Sequence, residues 1–91
     1  MEYLHKEFDL SAGDVLEVNL AGNAANVLLL DTDNFQKYQQ KQPFQYQGGY
    51  ARTTPYRIQV PRPGHWHLVV DLAGGPGRVE ASVGVLHESL S

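Results

Sequence analysis

Between His65 and Leu72 the chain alternates residue by residue. Trp66, Leu68, Val70 and Leu72 fall on one face of an extended segment, and His65, His67, Val69 and Asp71 fall on the other. Successive strand side chains point to opposite faces, so this pattern predicts a half-buried antiparallel strand. Trp66 belongs in the core and the His face in solvent. The same period recurs in Arg78 to Leu86, in Pro55 to Val60, in Asp14 to Leu20 and, more weakly, in Tyr3 to Asp9. Val27 to Leu30 does not alternate, which suits a central strand covered on both faces.

The breaks are turn chemistry. Ser11-Ala12-Gly13-Asp14 separates the first two strands, and Gly22-Asn23 is expected to close a hairpin. Pro61-Arg62-Pro63-Gly64 and Gly74-Gly75-Pro76-Gly77 bracket the Trp66 strand. One segment differs. Asp31 to Tyr38 predicts a short helix, with Asp33 capping it, Gln36 reaching back, Phe35 and Tyr38 sharing a face, and Pro43 ending it by Lys41. The expected architecture is all-β: an antiparallel, jelly-roll-like β-sandwich of about seven or eight strands with one short helix after the third. Its core should hold Leu16, Val18, Leu29, Ile58, Val60, Trp66, Leu68, Val70, Val79, Ala81 and Val83.

A chain of 91 residues makes one domain, here residues 1–91, with a modest core that leaves little room for a catalytic chamber. The formal net charge of −3 supplies no basic excess, so nucleic acid is not an expected partner. No cysteine is present, which excludes thiol chemistry and cysteine zinc sites and favours a reducing compartment. Glu2 to Glu7 reads as neither part of a signal peptide, and the Val27 to Leu30 run is too short to span a membrane. The expected location is cytoplasmic.

His65-Trp66-His67 followed by Asp71 is the pattern closest to chemistry. Two histidines at i, i+2 share a strand face and can share a metal. The run resembles part of the first metal motif of cupins, with Asp in place of the usual Glu and no second motif. An interior metal would turn Trp66, Leu68, Val70 and Leu72 into water, at about 1.5–3 kcal/mol each. The expectation is therefore no bound cofactor, with His65, His67 and Asp71 the only metal candidates. His5 and His87 stand isolated. Ser11, Ser82, Ser89 and Ser91 lie in no nucleophile-elbow pattern, and the glycines at 74–77 precede a strand rather than the helix a phosphate loop needs. No catalytic residue is assigned.

Phe35 to Tyr56 is denser in recognition chemistry. It holds Phe35, Tyr38, Phe44, Tyr46, Tyr50 and Tyr56 among six glutamines, with Arg52 and Arg57 alongside. Rings offer area at low entropy cost, and amides and guanidinium groups offer directional hydrogen bonds. Tyr38, Tyr46, Tyr50 and Arg52 are the expected ligand-binding residues.

The stretches Gly13 to Val18, Ala25 to Asp31, Gly48-Gly49-Tyr50 and Pro63 to Asp71 resemble a family of small bacterial proteins of unknown function. The similarity runs over nearly the whole chain. The resemblance implies a compact β-sandwich domain, in some relatives fused to a Toll/interleukin-1 receptor (TIR) type domain, and hence a sensing or interaction role. It implies no catalytic residues. The function expected is a non-catalytic binding or interaction module, with a small-ligand, carbohydrate or nucleotide module as the alternative and a histidine metal-binding protein behind both. Its partner is a protein or a small molecule, and an edge strand could pair two copies into a homodimer.

Overall fold

The computed structural model describes residues 3–22, 24–72, 77 and 79–86. Among them, seven strands and one helix follow in the order β1 (Tyr3–Leu10), β2 (Val15–Gly22), β3 (Ala25–Asp31), α1 (Thr32–Gln39), β4 (Gln47–Ala51), β5 (Tyr56–Gln59), β6 (Gly64–Asp71) and β7 (Val79–Leu86). The strands form two antiparallel sheets, one ordered β1-β6-β3-β4 and the other β5-β2-β7. No helix among the described residues is long and apolar enough to cross a membrane.

The core draws on both sheets. Leu16 and Val18 of β2 and Ile58 of β5 meet Val27 and Leu29 of β3 and Trp66, Leu68 and Val70 of β6. These residues, with Val60, are buried; alternation accounts for those of β2, β5 and β6, whereas Val27 and Leu29 belong to the run that does not alternate. Val79, Ala81 and Val83 of β7 are only partly buried against the same cluster, because β7 is an edge strand.

The opposite face of β6 departs from expectation. His67, Val69 and Asp71 are buried, not solvated. Helix α1 lies over this face, and Phe35 joins Leu28, Leu30 and Val69 in a second apolar cluster flanked by Tyr3, Tyr38 and Phe44. The four-stranded sheet is thus covered on both sides, which is why Val27 to Leu30 carries no alternation.

Two local expectations are corrected. Gly22-Asn23 does not close a hairpin, since β2 pairs with β5 and β7 whereas β3 pairs with β4 and β6. The chain changes sheets there, as the doubly covered β3 needs the centre of the other sheet. The helix is capped two residues earlier than expected. β3 runs straight to Asp31, whose Oδ1 accepts the Asn34 backbone N–H at 2.8 Å. Asp33 stands in the first turn, where a carboxylate favours the positive helix end. The helix still ends ahead of Pro43, and Phe35 is buried with Tyr38 beside it. His87, Ser89, Ser91 and the 74–76 part of the glycine turn lie outside the described residues.

Candidate functional site

Period-two geometry builds the outer face of the four-stranded sheet. In β1, Tyr3, His5, Glu7 and Asp9 point the same way, and the register sets them opposite Asp71, Val69, His67 and His65 of β6. Neutral, acidic and imidazole groups from two neighbouring strands therefore meet along one line.

At one end of that line stands a histidine–carboxylate cluster. His65 Nε2 lies 2.9 Å from Glu7 Oε1, and His65 Nδ1 lies 2.8 Å from Asp9 Oδ1. His67 is buried, with Nδ1 2.9 Å from His5 Nε2 and 3.8 Å from Glu7 Oε1, and with Nε2 3.2 Å from Thr32 Oγ1. The Phe35 ring stacks on both imidazoles, with centroids 4.3 Å from His5 and 4.4 Å from His67. Glu7, His65 and His67 bring donor atoms within 4.8 Å of one another. His5 is not isolated, as its sequence position suggested. It and Glu7 join the cluster only through the register of β1 with β6, although His5-Lys6-Glu7-Phe8-Asp9 already places three titratable groups on one face.

The two β6 histidines titrate in opposite directions. Hydrogen bonds donated to Glu7 and then to Asp9 raise the His65 pKa above its ordinary 6.5, and the His65 hydrogen bond in turn lowers that of Glu7. Burial lowers the pKa of His67 below 6.5, against the pull of Glu7. His67 thus favours the fold above the ordinary imidazole range and opposes it as pH falls through 6.5. His65 favours the fold below that range, a contribution lost as pH rises through its raised value. An NMR titration of the imidazole signals should show His65 deprotonating at higher pH than His67. The reverse order would refute this arrangement.

Asp71 does not join the cluster. It sits at the far end of the line, where Oδ2 accepts the Tyr38 hydroxyl at 2.7 Å and Oδ1 accepts Asn26 Nδ2 at 3.1 Å. Burial, reinforced by Asp71, pushes the Tyr38 hydroxyl well above its usual range. Tyr38 is thereby a structural strut between α1 and β6.

A cleft of about 410 Å³ opens where β3 passes into α1. Phe44, Tyr46 and the edge of Trp66 supply its rings; Asn34, Gln45 and Gln47 supply amides; Asp31 and Arg62 supply charge. Arg62 Nη2 donates to Asp31 Oδ2 at 2.6 Å, and its guanidinium carbon lies 4.8 Å from the Trp66 ring centroid. Asn34 is held by Asp31 and accepts the Gln45 backbone N–H at 2.8 Å. Among the described residues, the lining holds no Ser, Thr, Cys or His.

The four expected ligand-binding residues are not brought together. Tyr46 lines the cleft, Tyr38 bonds Asp71, and exposed Tyr50 pairs with Arg52, whose guanidinium carbon stands 5.8 Å from its ring centroid on edge strand β4. Asp31, Asn34 and Arg62 line the cleft beside Tyr46. Their signals were a helix cap and a Pro-Arg-Pro-Gly turn, both of which read as structure alone.

No curated protein and no solved structure matches the chain. A family model for DUF1883, a domain of unknown function, matches residues 1–89. With that match spanning nearly its whole length, the chain belongs to the DUF1883 family.

Proposed function

We propose that this domain is a non-catalytic binding module whose cleft at the β3–α1 junction takes a small polar ligand with a flat or ring-shaped apolar face, such as a saccharide or a nucleoside. The observation that carries this reading is the convergence of Tyr46, Phe44 and the Trp66 edge with the Asp31–Arg62 pair and three side-chain amides in one opening. Rings grip a ligand face, and the amides and charges orient its hydroxyls or ring nitrogens.

The frame around the cleft is read as a jelly-roll sandwich. Its support is the nested antiparallel pairing of β1 with β6, β2 with β5 and β3 with β4, the pattern of one long hairpin rolled up, with β7 added beside β2. We place the module in a bacterial cytoplasm, in a sensing or interaction role of the kind that fusion to a TIR-type domain would serve. A second reading, a protein-binding surface, is favoured by a separate, mainly apolar groove along β1 and β7, where Leu4, Leu68, Val70, Ala81 and Val83 line it together with His5 and Lys6.

A thermal-shift screen of saccharides, nucleosides and nucleotides, run with a chelator present, tests the first reading. A ligand at about 100 times its Kd adds about 2.7 kcal/mol, which in so small a domain is a shift of more than about 10 °C. Tyr46→Ala should abolish the shift while leaving the ligand-free Tm within a few degrees, since Tyr46 is exposed. A flat screen sinks the cleft reading and transfers the weight to the β1–β7 groove.

A further inference from the structure

We propose that Glu7, His65 and His67 form a binding site for a single zinc-class divalent ion, with Glu7 Oε1, His65 Nε2 and His67 Nδ1 as ligands and one position left to water. The site is distinct from the cleft, which none of the three lines.

The spacing fits the ion. Tetrahedral zinc holds nitrogen and oxygen ligands at roughly 2.0–2.2 Å, which sets donors roughly 3.3 Å apart. Glu7 Oε1 stands 2.9 Å from His65 Nε2 and 3.8 Å from His67 Nδ1, so the required separation falls between the two. The two imidazole donors lie within 4.8 Å of each other, so closing all three ligands onto one centre calls for side-chain rotation on the paired strands β1 and β6.

The outer partners fit it independently. A metal-bound histidine ordinarily donates its second ring N–H to a carboxylate or another oxygen, which fixes the tautomer and aims the lone pair at the ion. Both histidines have such a partner on the nitrogen facing away from the cluster. His65 Nδ1 meets Asp9 Oδ1 at 2.8 Å, and His67 Nε2 meets Thr32 Oγ1 at 3.2 Å. With those protons so placed, His65 Nε2 presents its lone pair toward Glu7, and His67 Nδ1 presents its own within 2.9 Å of His5 Nε2 and 3.8 Å of Glu7 Oε1. His67 is held from beneath by the Phe35 ring.

Exposure sets the ion's access. The His67 side chain is only 7% exposed, whereas those of Glu7 and His65 are 53% and 44% exposed. The ion would rest on a buried imidazole with its opposite side open to solvent, as three protein ligands and a water require. Entry of the ion displaces the His5 Nε2 contact to His67 Nδ1.

The test uses the full chain and Zn²⁺ or Co²⁺ alone. Calorimetry should give one ion per chain, and Co²⁺ should develop the visible d–d bands of a four-coordinate centre. Long-range ¹H–¹⁵N NMR of the zinc form should place the metal on His65 Nε2 and His67 Nδ1. Glu7→Gln and His65→Ala alter exposed side chains and keep the fold, and each should weaken binding more than about tenfold; Asp9→Asn should weaken it about 10–100-fold through His65. No uptake in molar excess, uptake unchanged in His65→Ala, or ligation through His65 Nδ1 would each overturn the assignment.

Discussion

Gly48→Ala should be among the most damaging single changes this domain can suffer. Gly48 has φ near +122°, a region side chains rarely enter, and a Cβ there would stand 2.1 Å from the carbonyl oxygen of Val27. That oxygen belongs to the central strand, locked between β4 and β6, so it cannot move aside. Backbone strain and overpacking each cost about 1–3 kcal/mol, and both apply at once. A loss of about 3–5 kcal/mol would lower Tm by at least about 12 °C. Calorimetry of the variant checks this. Gly84→Ala is the control, since a Cβ there meets nothing within 4 Å, and a comparable loss at Gly84 would show that glycine removal in general, not the Val27 contact, was being measured.

Trp66→Ala should rival it. The indole is only 3% exposed, and its Nε1–H donates to the Arg62 carbonyl at 3.1 Å. Emptying such a site costs about 3–5 kcal/mol, a large share of the roughly 5–15 kcal/mol that holds a domain folded. Trp66→Phe keeps most of the volume and loses mainly the hydrogen bond, at about 1 kcal/mol. Urea unfolding should order the three proteins wild type, Trp66→Phe, Trp66→Ala, with a wide gap before the last. The cleft edge depends on the same ring, so Trp66→Ala should also lose the ligand sought there.

Much of this was legible in the residues. Alternation identified β2, β5, β6 and β7 and their inward residues, and the apolar run of β3 revealed its central place. What escaped was whatever depends on pairing between distant segments. Strand β4, with Gly48 and Gly49 in it, carries no strand propensity of its own; β3 alone recruits it. The solvated face assigned to His67 assumed that one side of the sheet was free, and only the return of α1 across it, anchored by Phe35, made that false. For the same reason Glu7 and His5 looked unrelated to His67, which lies opposite Glu7 only through the register of β1 with β6. The cleft was hidden differently: aromatic density pointed to Tyr46, which lines it, while Asp31 and Arg62 each sat behind an ordinary structural duty.

The double cover over β3 and β6 also divides the chain by its freedom to vary. Each residue from Val27 to Leu30 and from Trp66 to Val70 answers to either the inter-sheet core or the helix layer, so substitution there is confined at consecutive positions. Along β7 every second residue is exposed, and half the strand is open to polar replacement. Lineages of this domain would be expected to drift apart mainly through β5 and β7 while keeping β3 and β6 almost as written.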